Sequence, residues 1–238
     1  MATGKREGPE LLPGNTPAGA PLAPAWFKAV GRGLLRATGL YASWSLLTQG
    51  PLRADGWLRS FREGRAVDAE GRPLPWITYP AIEFLSRHVR ADWEVFEYGC
   101  GQGTLWWAAR VAKVVACEHE AAWAERVRPV LPAGAELLLV PLDDAGTYAQ
   151  TCARWPGRFD VVVIDGRQRV RCAGAALTAL KPRGVVVWDN SDREEYLEGY
   201  QLLAAAGFRK VLFIGMAPIF NAKAEAAVFY RDDNVLGL

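Results

Sequence analysis

The chain has 238 residues, half of them hydrophobic, and a formal net charge of +2 at neutral pH. This length allows one large domain with an extension, and the near-neutral charge gives no indication of a nucleic-acid partner. No export signal and no apolar run of about 18 residues is present, so we expect a cytoplasmic protein without a transmembrane segment. The sequence leaves the oligomeric state open.

The first 25 residues contain many prolines and glycines and few large apolar side chains, a composition typical of a disordered tail. Residues 26–79 form an N-terminal extension, which we interpret as a cap or lid. Its first part, 26–47, has an amphipathic helical pattern, with apolar residues at three-four spacing and a short basic ladder. Two roles remain open for this helix: packing on the domain, or contact with a membrane surface or the substrate.

The rest of the extension, before a helix predicted over Pro80 to Val89, alternates aromatic and charged residues. It lies directly ahead of the central motif of the chain, so it could cover a substrate pocket. Trp76 and Tyr79 are candidates to line that pocket, although packing in the core is the usual role of a single aromatic residue.

The central motif is a short apolar strand followed by three alternating glycines and the start of a helix. Strand, glycine turn and helix form a unit that cradles nucleotides, because a side chain in the turn would block the ligand from the backbone. The motif runs through Glu97, Tyr98, Gly99, Gly101 and Gly103. Dinucleotide-binding enzymes have their third glycine one residue later, and an acid two residues before the first glycine would repel a pyrophosphate. The carboxylate of Glu97 could instead position an ammonium group.

The next predicted strand ends at Glu118, about 20 residues beyond the glycine turn, followed by His119. A carboxylate in this place commonly holds the hydroxyls of a ribose. A third strand ends before Asp143 and Asp144, which a surface turn would explain equally well.

A fourth strand, β-branched throughout, ends at Asp165, and a fifth ends at Asp189 and Asn190. Ligands bind at the carboxyl ends of the strands in such sheets, so these side chains are candidate catalytic residues. The last two strands lack a helix between them and should pair antiparallel. The chain is therefore predicted to be an α/β protein.

Together, these features resemble the class I S-adenosylmethionine-dependent methyltransferases, whose first motif is written (D/E)-x-G-x-G-x-G. The resemblance covers roughly residues 80–231, within a domain assigned to residues 80–238, and implies a Rossmann-like, mostly parallel seven-stranded sheet with an antiparallel last strand. It implies S-adenosylmethionine as the cofactor, bound by the glycine turn, Glu118 and the residues around them. It also implies that Asp143 or Asp144 contacts the adenine. The turn predicted at Lys181–Gly184 is similar to a conserved segment of this family.

The acids at the ends of strands four and five also resemble those of catechol-type, metal-dependent O-methyltransferases. That resemblance implies Asp165, Asp189 and Asn190 as ligands of Mg²⁺, a cation that prefers carboxylate and amide oxygens. The sequence departs from the pattern at Asp165-Gly166-Arg167-Gln168-Arg169, where those enzymes have a lysine as general base. Asp165 could also act as a base, or orient the cofactor, without any metal.

The predicted function is methylation of an oxygen on a small molecule, such as a sugar or a secondary metabolite. Methylation of nitrogen is the alternative, although the D-P-P-Y and N-P-P-Y motifs of nucleobase and glutamine methylation are absent. A noncatalytic protein with this fold and, more remotely, an NAD-dependent oxidoreductase remain as alternatives.

Overall fold

A seven-stranded sheet carries the predicted site residues at the ends of its strands and on the loops that follow them. The computed structural model describes residues 25–238, so the predicted disordered tail lies outside the described residues except for Ala25, which begins a helix. The chain divides into two units, residues 1–45 and 46–238, and the sheet belongs to the second. None of the helices in the described part of the chain has the length and apolar character needed to cross a bilayer.

The strands are β1 (Glu94–Tyr98), β2 (Lys113–Glu118), β3 (Ala135–Leu139), β4 (Phe159–Ile164), β5 (Leu180–Asp189), β6 (Arg209–Gly215) and β7 (Ala224–Tyr230). Their order across the sheet is β3-β2-β1-β4-β5-β7-β6. The first five strands are parallel, and β7 is antiparallel to both of its neighbours. This confirms the predicted fold class.

The helices before the sheet are α1 (Ala25–Ala37), α2 (Tyr41–Thr48), α3 (Pro51–Ala54), α4 (Trp57–Glu63) and α5 (Tyr79–His88). Those within the sheet region are α6 (Gln102–Ala108), α7 (Ala121–Val127), α8 (Thr147–Gln150), α9 (Arg169–Ala179) and α10 (Leu197–Ala205), with short 3-10 turns at Arg128–Val130, Thr151–Arg154 and Glu194–Tyr196.

Apolar side chains cover both faces of the sheet. On one face, Phe96 and Tyr98 pack with residues of α8, α9 and α10. On the other, Val95 packs with α5 and with the two buried tryptophans of α6, Trp106 and Trp107. Because side chains alternate along a strand, Glu97 points to the face of Val95, beneath the helix that follows the glycine turn.

The extension from residue 46 onwards is attached to the strand β6 and the loop after it. Trp57 Nε1 donates a hydrogen bond of 2.8 Å to the carbonyl of Phe220, and Thr78 Oγ1 donates one of 3.0 Å to the carbonyl of Phe213. The amide of Tyr79 donates to the carbonyl of Met216. The proposed boundary between residues 79 and 80, and a cap or lid role for the extension, remain predictions.

Two local predictions were wrong, and one short helix was missed. The turn predicted at Lys181–Gly184 lies inside β5, where Lys181 Nζ forms an ion pair of 2.8 Å with Asp160 on the neighbouring strand. The single helical pattern over 26–47 is divided into α1 and α2, and Gly39 between them has a φ of +73°, a conformation that favours glycine. The helix α8 was not predicted, because four residues are too few to show a period.

Candidate functional site

The glycine turn after β1 is closely packed from below. Gly99 has a φ of +90°, and its amide donates a hydrogen bond of 2.8 Å to the carbonyl of Cys117. A Cβ added at Gly103 would lie 2.6 Å from Oε1 of Glu97. This distance is shorter than those between a Cβ and non-bonded heavy atoms in proteins. A Cβ at Gly101 would instead meet only the indole of Trp123, at 3.7 Å. The turn therefore requires glycine at its first and third positions for conformation and for space.

Glu97 lies beneath this turn as a buried acid. Its Oε2 accepts a hydrogen bond from the hydroxyl of Thr104, which in turn accepts one of 3.0 Å from the amide of Gly101. Burial raises the pKa of Glu97 to about 8, and the nearby carboxylates of Asp165 and Glu118 raise it further against the hydrogen bond from Thr104. The carboxyl is therefore mostly protonated at neutral pH, and a cation bound beside it would favour its ionised form.

Glu118, at the end of β2, is buried and held by three backbone amides. Its Oε1 accepts hydrogen bonds from the amides of His119 at 2.7 Å and Glu120 at 2.9 Å, and its Oε2 accepts one from Cys100 at 3.3 Å. The ring nitrogen Nδ1 of His119 lies 2.8 Å from Oε1. A carboxylate has about four acceptor positions, so it can accept a further hydroxyl in this orientation.

Two aromatic residues, Tyr98 and Trp123, lie beside the turn. The side chain of Tyr98 is fully buried, and its hydroxyl donates to the carbonyl of Ala149, so only its backbone can face a cofactor. Trp123 was not predicted, yet its Nε1 donates a hydrogen bond of 2.7 Å to the carbonyl of Cys100, and 41% of the residue is exposed. Nothing in the sequence distinguishes Trp123 from any other aromatic residue on a helix.

Asp143 and Asp144 lie in the exposed loop after β3. Asp143 Oδ1 accepts a hydrogen bond of 2.8 Å from the amide of Thr147, which is the turn-forming role that the sequence left open. The backbone carbonyls of the two residues accept hydrogen bonds from Gln168 and Arg171, which follow β4. The loop is thus tied to the neighbouring part of the site, and contact with an adenine remains a prediction.

The ends of β4 and β5 bring Asp165 and Asp189 together around one guanidinium. Arg169 is 8% exposed; its Nη2 donates a hydrogen bond of 3.0 Å to Oδ1 of Asp165, and its Nη1 donates to the carbonyl of Asp189. Burial raises the pKa of Asp165 to about 6, while Arg169 and a hydrogen bond with Asp189 oppose the shift. Burial and the neighbouring Asp165 together raise the pKa of Asp189. Asp165 can therefore accept or release a proton near neutral pH.

This pair also adjoins the glycine turn, because β1 and β4 are neighbours in the sheet. A Cβ at Gly99 would lie 3.4 Å from the carbonyl oxygen of Asp165. A Cβ at Gly166 would lie 3.0 Å from the amide nitrogen of Gly99 and 2.0 Å from the hydroxyl of Tyr148. The two glycines thus allow the β1 and β4 loops to touch, which places an ionisable group next to the predicted cofactor turn.

The predicted Mg²⁺ site is not confirmed. Within residues 25–238, no group of three or more His, Cys, Asp or Glu residues is arranged to hold a metal. Asn190 follows Asp189 with a φ of +53°, but the guanidinium of Arg169 already binds Asp165 and the backbone of Asp189. A dication beside this fixed positive charge would be repelled, which disfavours Mg²⁺ at these donors.

The comparisons with known proteins agree with this geometry. Residues 96–191, from β1 to just after β5, match the family model of a methyltransferase domain. The match covers the glycine turn, Glu118 and the Asp165–Asp189 pair, 96 of the 238 residues, and supports an S-adenosylmethionine-dependent methyltransferase. A comparison with curated protein sequences found no significant match.

Solved structures share the fold of this chain. A protein from Klebsiella pneumoniae, provisionally named an O-methyltransferase, aligns with a TM-score of 0.55 and 17% identity over 85% of this chain and 96% of its own. A precorrin-6y C5,15-methyltransferase from Geobacter metallireducens aligns with a TM-score of 0.51 and 14% identity, over 72% of this chain and 96% of that one. A spermidine synthase from Thermotoga maritima aligns over 64% of this chain and 61% of its own, with 17% identity and a TM-score of 0.49. The alignment thus spans less than two thirds of that synthase.

Proposed function

We propose that the protein methylates an oxygen atom of a small molecule, with Asp165 as the general base and without a divalent metal. The observation that carries the proposal is the pair of acids at the ends of β4 and β5, of which Asp165 has a pKa raised to about 6. These acids adjoin the glycine turn, and Arg169 binds the carboxylate of Asp165 and the backbone of Asp189.

The residues around the glycine turn fit S-adenosylmethionine. We assign its ammonium to Glu97, its ribose hydroxyls to Glu118, and its adenine to the loop of Asp143 and Asp144, beside His119. The backbone from Tyr98 to Gly103 follows the cofactor, because a side chain is absent at Gly101, where a Cβ would meet only the indole of Trp123. When bound, the cofactor supplies the methyl group. Loss of this methyl group converts the sulfonium of the cofactor into a neutral thioether.

Asp165 then accepts the proton of the acceptor's hydroxyl as the oxygen bonds the methyl carbon. With a pKa of about 6, the carboxylate is mostly ionised at pH 7 and is still basic enough to receive a proton. Arg169 prevents the pKa from rising further, and its bond to the carbonyl of Asp189 fixes the distance between the two strand ends. The proton later leaves Asp165 for solvent.

The segment before α5 provides a wall for the acceptor. A Cβ at Gly103 would lie 3.7 Å from Cα of the buried Pro75, so this segment passes directly beside the turn. The next residue, Trp76, is 53% exposed and is free to stack on a planar or apolar acceptor. We therefore place the acceptor between Trp76 and Asp165, and propose that residues 57–78 close this side.

The test is a transfer assay with methyl-labelled S-adenosylmethionine and a panel of phenols, sugar alcohols, carboxylic acids and amines, with products identified by mass spectrometry. We expect an O-methyl product, retained activity in a chelator, and a loss in kcat of about 10²–10⁴-fold in Asp165→Asn. Binding of adenosylhomocysteine to this variant should stay within about threefold of the wild type, as expected when only catalysis is affected.

The exposed acid Asp192, in the loop after β5, provides the matched control, and Asp192→Asn should keep wild-type kcat. Transfer to amines alone would favour the nitrogen alternative. Activity that requires Mg²⁺, or an unchanged kcat in Asp165→Asn, would contradict the proposed base. Binding of the cofactor without transfer to any member of a broad panel would favour a noncatalytic protein.

A further inference from the structure

The segment that contains α1 and α2 has an unusual charge distribution. Residues 25–54 contain four basic residues, Lys28, Arg32, Arg36 and Arg53, and no Asp or Glu. The whole chain, in contrast, has nearly equal numbers of both, 28 basic and 26 acidic. A one-sided charge of this kind indicates an anionic partner.

The helix α1 has a separate apolar face that is exposed to solvent. Val30 and Leu34, four residues apart on one side, are 64% and 66% exposed, and Leu40 just beyond the helix is 56% exposed. Arg32 and Arg36 are also exposed, and they lie two residues away from Val30 and Leu34. At 3.6 residues per turn, two residues correspond to about 200° around the helix, so the basic and apolar faces are opposite.

An exposed apolar face with a basic face opposite is the pattern of a helix that lies in the interface of a membrane. The apolar side chains enter the boundary between headgroups and acyl chains, while arginines on the other face remain near the anionic headgroups. Residues 25–54 contain no Asp or Glu, so no carboxylate of this segment would be repelled by the anionic headgroups. No helix in the described residues can span a bilayer, so this contact would be peripheral.

We propose that α1 binds the surface of an anionic lipid bilayer, with Val30, Leu34 and Leu40 inserted and Arg32 and Arg36 facing the headgroups. The sequence left a packed helix and a membrane-surface helix open, and the opposite basic and apolar faces of α1 favour the second. This proposal does not depend on the acceptor or on the proposed base.

The experiment is sedimentation of the full chain with vesicles of phosphatidylcholine, with and without phosphatidylglycerol, at low and at high salt. We expect binding to anionic vesicles at least about tenfold above that to neutral ones, weakened by salt because headgroup attraction is screened. Leu34→Glu and Arg32→Glu should each reduce binding by about tenfold or more, the first through the apolar face and the second through charge.

Two control variants carry the same substitutions elsewhere. Leu197→Glu alters a leucine that is 55% exposed at the start of α10, and Arg126→Glu alters an exposed arginine of α7. Both should bind vesicles like the wild type, and all four variants should bind adenosylhomocysteine equally, which shows that they fold. Equal binding to neutral and anionic vesicles, or full binding by Leu34→Glu, would overturn the proposal. So would concentration-dependent self-association through α1 without vesicle binding.

Discussion

Glu97 provides the sharpest test of the cofactor geometry, because its proton should be released when the cofactor binds. In the free protein, burial raises the pKa of this carboxyl to about 8, so it is neutral at pH 7. An ammonium placed beside it stabilises the carboxylate and lowers the pKa. Binding is therefore linked to ionisation, and the substitution Glu97→Gln, which keeps the shape but cannot ionise, should remove the linkage.

The size of the effect follows from the pKa. If it falls well below 7 in the complex, binding at pH 7 releases about 0.9 proton from Glu97, and the affinity increases by about 15-fold from pH 6.5 to pH 8. Because Glu97 loses its proton on binding, the affinity for the cofactor rises with pH. The rise ends when the pH exceeds the pKa of Glu97 in the free protein. In Glu97→Gln, both the proton release and this pH dependence should disappear.

The assay is isothermal titration calorimetry with adenosylhomocysteine in buffers of different ionisation enthalpy. At pH 6.5 the variant should already bind more weakly than the wild type, since Glu97 still ionises when the cofactor binds, and the difference should widen by about 15-fold at pH 8. Glu120→Gln, an exposed acid nearby, is the control and should release the same number of protons as the wild type. Proton release that is absent in the wild type, or unchanged in Glu97→Gln, would refute an ionised contact between Glu97 and the cofactor.

Three further predictions concern the turn and the acid pair. Gly103→Ala should lower the free energy of unfolding by about 1–3 kcal/mol through overpacking against Glu97, whereas Gly174→Ala, in α9 with no atom within 4 Å of the new Cβ, should raise it by about 0.5–1 kcal/mol. Denaturant titration measures both, and equal effects would contradict the close packing of the turn. Arg169→Gln should shift the acidic limb of the pH–rate profile to higher pH, because a cation that lowers the pKa of Asp165 is lost; Arg169→Lys should shift it less. An unmoved limb would exclude Asp165 as the titrating base. Exhaustive chelation should leave kcat unchanged, and recovery of lost activity by Mg²⁺ would contradict the role of Arg169.

The strand pattern made the fold predictable. Buried parallel strands read as continuous apolar runs, and all six residues of β4 are indeed buried. The turn glycines, Glu97 and Glu118 were predictable for a related reason, since their spacing is set by one strand, one turn and one helix. The antiparallel end of the sheet followed from the short connection between β6 and β7.

The environment of Asp165 could not be predicted. Arg167, Arg169 and Arg171 are equivalent in the sequence, and only the fold shows that Arg169 turns inward across the ends of two strands. The inward position of Tyr98, in contrast, was predictable. A period of two places it on the face of Phe96, opposite Glu97.

The measurement that tests the central claim most directly is binding of adenosylhomocysteine and of NADH to the wild-type protein and to Glu118→Gln. A class I methyltransferase should bind adenosylhomocysteine and not NADH, and Glu118→Gln should weaken that binding by about tenfold or more, since the ribose loses a charged hydrogen-bond acceptor. Glu120→Gln should bind like the wild type. Binding of NADH alone, or adenosylhomocysteine binding that is indifferent to Glu118, would contradict the cofactor site at the ends of β1 and β2.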